Sequence, residues 1–254
     1  MPYYVCEARG LARKIFDKSH ANWKKGKGLA PNPFPYSFRM VEELSEDDLG
    51  LFGDRLNYWS YTAEGNYVLL RNIPETEGWF QKTQAVVGDA PSRMVVLDID
   101  ETSISLAPTL DALARWELYK AEHHLSKDFE AILKMSSSAY ANFDEPSLNK
   151  FSLHAFIQLP EPMKQEELLE YFKGRAVDLS VVTSNQLLWI QKPKFINGTP
   201  SVSHARGIAF LEGQPFHPSL LPEGEIKSGK RQNTRSGATN TTSGRGNELR
   251  LILE

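Results

Sequence analysis

Two acids, Asp98 and Asp100, break the apolar run Arg93-Met-Val-Val-Leu-Asp-Ile-Asp-Glu-Thr102. A β-branched run of this kind predicts a buried strand. Side chains alternate along a strand, so Asp98 and Asp100 share one face, and Val95, Leu97 and Ile99 take the other. Their Cα atoms are then about 6–7 Å apart, twice the strand rise. Carboxylates held that close repel, and a hard divalent cation such as Mg²⁺ or Mn²⁺ is the usual relief. A second polar pair lies on Phe151-Ser-Leu-His-Ala-Phe-Ile-Gln-Leu159. Period two puts Phe151, Leu153, Ala155, Ile157 and Leu159 on one face, with Ser152 and His154 on the other. A third acid, Asp178, sits in the strand-like Ala176-Val-Asp-Leu-Ser-Val-Val182.

The elements needed to position these residues can be read in outline. Tyr36–Val41, Tyr67–Arg71, Ala131–Ser136, Leu187–Ile190 and Arg206–Leu211 read as further strands. Residues 72–92 read as a loop. Ser45 is placed to cap a helix whose Leu49, Phe52 and Leu56 recur at helical spacing. A second helix is predicted over Pro108–Leu125, with Leu110, Leu113, Ala114, Leu118, Ala121 and Leu125 as its apolar stripe. A third runs over Gln165–Lys173, ended by Gly174. Pro160 and Pro162 are expected to stop the His154 strand. Strands and helices alternate irregularly, which predicts an α+β (mixed α/β) fold.

The chain has 254 residues, enough for one large domain or two small ones, and a net charge of −3, so no global basic field points to nucleic acid. The single cysteine, Cys6, excludes a disulfide framework and a cysteine zinc cluster. No apolar run is long enough to span a bilayer and no secretory signal opens the chain, so the expected location is the cytoplasm, away from membrane. From Pro222 to Asn247 the composition turns to Gly, Ser, Thr, Asn and basic residues, including Lys227, Lys230, Arg231, Arg235 and Arg245. A segment like this buries too little to order itself. The division expected is a catalytic domain over 1–222, with an N-terminal module to about residue 90 and a core from about 91, then a flexible basic tail or linker over 223–254.

Asp98-Ile-Asp-Glu-Thr102 has the DxDxT form of haloacid-dehalogenase-type phosphatases, and Val181-Val-Thr-Ser-Asn185 resembles their second motif. That resemblance implies Asp98 as nucleophile and Asp100 as general acid. It also calls for a late acidic pair, and no Asp follows Asn185. A longer resemblance covers roughly residues 36–222. Asp98-Ile-Asp100, then Ser152-Leu-His154, then Val177-Asp178, in that order, resemble the archaeo-eukaryotic primase superfamily. The flanking Tyr67-Val-Leu-Leu-Arg71, Ser136-Ser-Ser-Ala139, Leu159-Pro-Glu-Pro-Met163 and Lys192-Pro-Lys-Phe195 are similar to the versions in phage, plasmid and mobile-element primases.

This second resemblance implies a DNA primase or primase-polymerase. Its core would be an RRM-like mixed sheet behind an N-terminal α/β module. Asp98, Asp100 and Asp178 would be catalytic and would hold two Mg²⁺ or Mn²⁺ ions. Ser152 and His154 would contact the incoming nucleoside triphosphate. Family members often carry an Arg soon after the third acid, where this chain has Gln186 and Trp189. The triphosphate cation is therefore expected among Lys192, Lys194 and Arg206. Single-stranded DNA would be the template, with Lys24, Lys25, Lys27, Trp23, Tyr36 and Trp189 as candidate contacts. A replicative helicase is a further candidate partner. The alternatives are the phosphatase, or a replication DNA-binding module that has lost activity.

Overall fold

The apolar run around Asp98 forms strand β6, Ser92–Ile99, and its two faces enter two different cores. The computed structural model describes residues 3–10, 12–29, 37–71, 73–74, 77–81, 91–100, 110–149, 151–178, 187–203 and 206–226. In chain order the other strands are β1 (Tyr3–Ala8), β2 (Ile15–Asp17), β3 (Ser37–Leu44), β4 (Tyr67–Leu70) and β5 (Phe80–Gln81) before β6. After it come β7 (Ala131–Met135), β8 (Leu153–Met163), β9 (Leu188–Trp189), β10 (Lys194–Ile196) and β11 (Ile208–Leu211). The α-helices are α1 (Leu49–Asn57), α2 (Ala112–Glu122) and α3 (Gln165–Tyr171). The fold is mixed α+β, as the irregular alternation predicts. Among the described residues no helix is long and apolar enough to cross a membrane.

Among the described residues three sheets form: a first, five-stranded in the order β5-β3-β1-β4-β9, a second, four-stranded in the order β11-β7-β8-β6, and a two-stranded pair of β2 and β10. Every neighbouring pair in the four-stranded sheet is antiparallel, whereas a mixed sheet was expected. The reason is topological: α2 returns the chain so that β7 runs in the direction of β6, and β8 lies between them. The parallel pairing is elsewhere, between β2 and β10. Because β9 joins the first sheet, a segment from beyond residue 91 completes the N-terminal module.

One face of the four-stranded sheet carries Val95, Leu97, Leu133, Leu153, Ala155 and Ile157, packed on α2 and α3 through Trp116, Tyr119, Leu168 and Phe172. The opposite face carries Met94, Val96, Ile132 and Phe156, packed on α1 and the first sheet through Phe52, Leu56, Tyr3 and Val5. Helix α1 backs closely onto β7: a Cβ on Gly53 would stand 2.6 Å from Cδ1 of Ile132.

Local chemistry sets the helix starts. Asp48, rather than Ser45, caps α1, its carboxylate accepting from Leu51 N at 2.8 Å. Asp111 caps α2 by accepting from Ala114 N at 3.0 Å. The buried face of α2 is Ala112, Arg115, Trp116 and Tyr119, while Leu113 of the predicted stripe is 44% exposed. The larger aromatic rings take the core, and Arg115 joins them because carbonyl oxygens of Leu110 and Ala139 accept its protons, each at 3.0 Å.

Pro160 and Pro162 do not stop β8, which runs on to Met163. Pairing with β7 ends at Ile157, so beyond it β8 has one neighbour and behaves as an edge, where proline is tolerated. The β6–β8 register also shifts there, between Ser92 and Met94. Residues 72–92, read as a loop, contain β5 and the first residue of β6. Residues 223–226 of the expected tail are tied to the fold by the Arg175–Glu223 bridge and by Gly224 N donating to Gly174 O at 3.1 Å. The tail from residue 227, and residues 179–186, which include the end of the strand-like Ala176–Val182 and the motif Val181–Asn185, lie outside the described residues.

Candidate active site

Strand register gathers residues that the sequence holds far apart. His154 on β8 stands directly opposite Asp98 on β6 and, on its other side, opposite Lys134 on β7. Asp178 pairs with Asp98 across an isolated antiparallel bridge, the Asp98 N–H donating to the Asp178 carbonyl at 3.4 Å. Cross-strand partners point to the same face of a sheet. Lys134, His154, Asp98 and Asp178 therefore form one row across four backbone segments.

The row lies on the face that packs against α1 and the first sheet. One rung back that face is Ile132, Phe156 and Val96, all core. One rung forward it is Ser136 and Ser152, joined by Ser136 N donating to Ser152 O at 3.1 Å, with Asp100 just past the end of β6. An apolar interlayer thus ends in a polar patch, with donors on β7 and β8 and carboxylates on β6 and at Asp178.

Within the patch, Nε2 of His154 lies 3.4 Å from Oδ1 of Asp98, with the two side chains 13% and 22% exposed. That is ion-pair distance, yet the contact is not aligned as a hydrogen bond. Buried Oδ1 of Asp98 has no hydrogen-bond partner among the described residues. An orphaned carboxylate oxygen beside a second acid suits a hard cation, whose ligands are oxygens. Asp98 and Asp178 are the residues that could hold such an ion. The three acids do not close into a cage: among the described residues no group of three or more His, Cys, Asp or Glu gathers to hold a metal ion.

The three cations expected near a triphosphate have these partners. Arg206 lies at the surface on the cap of α2, its guanidinium donating to Oδ2 of Asp111 at 2.5 and 3.1 Å. Lys192 donates to the Tyr61 carbonyl at 3.3 Å. Lys194 is exposed on β10, its backbone N–H donating to the Lys14 carbonyl at 2.9 Å. Lys14, just before β2, feels the charge of the acids. Burial pushes its ammonium pKa down, and the carboxylates of Asp100 and Asp98 push it back up. Lys134 is 2% exposed, and burial pushes it down to about 8.

Sequence reasoning missed Lys14 and Lys134 as site residues. Lys14 carried no signal beyond membership of a basic stretch. Lys134 did carry one: it is a charge inside Ala131-Ile-Leu-Lys-Met135, on the face of Ile132. Among the candidate DNA contacts, Trp23 is ruled out as a stacking platform. It is 4% exposed, packs on Phe143 with ring centroids 4.8 Å apart, and donates to Asp144 at 3.0 Å. Its large apolar ring wins a core place among the aromatics of the β2 region. Lys24, Lys25 and Lys27 are exposed, Trp189 is half-buried in β9, and Tyr36 lies outside the described residues. No protein-family model, curated protein or solved structure matches the chain.

Proposed function

We propose that this chain is a DNA primase or primase-polymerase domain, transferring nucleotides on a single-stranded DNA template in the replication of a phage, plasmid or other mobile element. The observation that carries the reading is the row Asp98, His154 and Asp178. These residues come from three separate motifs and meet side by side on one face. Two features support it. The elements β6-α2-β7-β8 form a split β-α-β unit, β8 pairing between the parallel β6 and β7, while β11 adds beside β7, and α2 and α3 pack on one face of the sheet. The row lies at the polar end of the apolar interlayer between the two larger sheets, so a substrate would enter at that edge rather than between the layers.

In this reading Asp98 and Asp178, with Asp100 at the strand end, hold divalent metal and set its position. Bound divalent ions would supply activation of the attacking 3′-hydroxyl and neutralisation of the leaving pyrophosphate. His154 and Ser152 donate to phosphate oxygens and orient the α-phosphate in line with the attack. Lys14 offsets the carboxylate charge from the N-terminal side. Trp189 and the exposed lysines 24, 25 and 27 are the candidate template contacts, and a helicase is the proposed replication partner.

The test is de novo primer synthesis on single-stranded DNA with nucleoside triphosphates and Mg²⁺ or Mn²⁺, run beside hydrolysis of a generic phosphomonoester. The reading requires primers and no monoester turnover. Monoester turnover that is lost on Asp98→Asn and indifferent to His154→Ala would establish the phosphatase instead.

A further inference from the structure

Lys134 is the side chain that the fold explains least. It is 2% exposed, lies one rung from Ile132 and Phe156, and has no ion pair among the described residues. Its hydrogen bond is to a neighbour's carbonyl, Nζ donating to Met135 O at 3.3 Å. A buried ammonium without a counter-charge destabilises a fold, and an apolar side chain of the same size would fit the surroundings. Arg115 shows the contrast: it is equally buried but donates to two loop carbonyls that need it.

The surroundings of Lys134 supply donors. His154 is its cross-strand partner, Ser136 follows two residues on along the same face, and Ser152 pairs with Ser136 through the backbone. Ser136 and Ser152 are buried too. An ammonium, two hydroxyls and an imidazole on adjacent rungs are the groups that bind a phosphate chain. Asp98 stands one strand further on, its Oδ1 3.4 Å from Nε2 of His154, so the imidazole lies between the carboxylate and the Lys134 strand. The flexible four-carbon stem lets the ammonium swing from the Met135 carbonyl toward an anion over Ser136 and Ser152.

We propose that Lys134 is the cationic end of a polyphosphate subsite, with Ser136, Ser152 and His154 as its hydrogen-bond donors. Its natural occupant, given the nucleotidyl-transfer reading on which this part rests, is the β- and γ-phosphates of the incoming nucleoside triphosphate. The subsite thus takes the role expected of Lys192, Lys194 or Arg206.

The test is calorimetric titration of the full chain with inorganic tripolyphosphate in the absence of divalent metal. The wild type should bind. Lys134→Met should bind at least tenfold more weakly while unfolding at the same or a higher temperature. Ser152→Ala, which introduces no new buried group, should weaken binding several-fold and serves if the first variant fails to fold. Undiminished binding in either folded variant, or no binding by the wild type, overturns the subsite. The outcome is independent of the enzymatic reading. A wild type that binds tripolyphosphate through Lys134 but makes no primers keeps the subsite and refutes the nucleotidyl transfer. A wild type that makes primers while Lys134→Met keeps its nucleotide KM does the reverse.

Discussion

Replacing Lys134 by methionine should make the protein more stable near neutral pH and flatten its alkaline stability profile. Burial takes the Lys134 ammonium from 10.5 to about 8. At about 1.36 kcal/mol per pH unit, that is on the order of 3 kcal/mol of disfavoured charge. Below pH 8 the native and unfolded states both carry the proton, and the full penalty falls on the native state. Between about 8 and 10.5 the native state has released the proton and the unfolded state still binds it, so stability rises with pH. Above that window both states are neutral and the penalty has gone.

Methionine has a similar length, needs no proton and loses one long hydrogen bond, so most of the 3 kcal/mol should be recovered as a gain near pH 7. Other buried groups act in the opposite sense. The Cys6 thiol is pushed up to about 12, and the phenols of Tyr3, Tyr61 and Tyr140 are raised by burial, so each favours the unfolded state as it ionises in alkali. Those groups are common to both proteins and cancel in the difference. Urea unfolding of wild type and variant near pH 7, 9 and 10.5 reads that difference directly. It should be about 2–3 kcal/mol in favour of the variant at neutral pH and shrink toward zero by pH 10.5. A variant less stable than wild type at pH 7, or a gap that ignores pH, would mean that Lys134 carries no buried, disfavoured charge.

Two further stability predictions set this one in context. Arg115→Met should lose about 2–4 kcal/mol in the same urea assay, because the carbonyls of Leu110 and Ala139 lose a buried donor. A gain in stability there would mean that those bonds contribute nothing. Gly213→Ala should cost about 2 kcal/mol or more, since its Cβ would stand 2.4–2.5 Å from the backbone of Asp128 and Phe129. That backbone is pinned by Gln214 N donating to Asp128 O and Glu130 N donating to Gln214 O, so it cannot give way cheaply. An unchanged urea midpoint would contradict the close approach.

How much of this was legible in the sequence depends on range. The alternation of β6 and β8 is a local signal, and it gave the faces of Asp98, Ser152 and His154 correctly. Period two also puts Lys134 on its face, but a lone lysine in a short strand reads as solvated until a second layer is known to cover it. The face of α2 was misread because aliphatic residues were ranked above Trp116 and Tyr119, and because nothing local tells that Arg115 has carbonyls waiting for it. The prolines of β8 misled because their tolerance depends on β7 ending early, which is a property of the partner strand. The adjacency of Asp178 to Asp98, and the approach of Lys14 to both acids, are tertiary facts with no periodic trace. The pairing of Arg206 with Asp111 is likewise invisible locally: the two are far apart in sequence, and the fold brings them together.

The proposed function rests on Asp98 working with His154 and Asp178 as one catalytic row. The measurement that meets it most directly is primer synthesis on single-stranded DNA by wild type, Asp98→Asn and Asp178→Asn, each first shown to be folded. Both substitutions keep size and shape while removing a charge, so the sheet should survive them. The wild type should make primers, and each variant should lose at least a hundredfold, about 3 kcal/mol or more of transition-state stabilisation. Primer synthesis that persists in either variant would contradict the catalytic row.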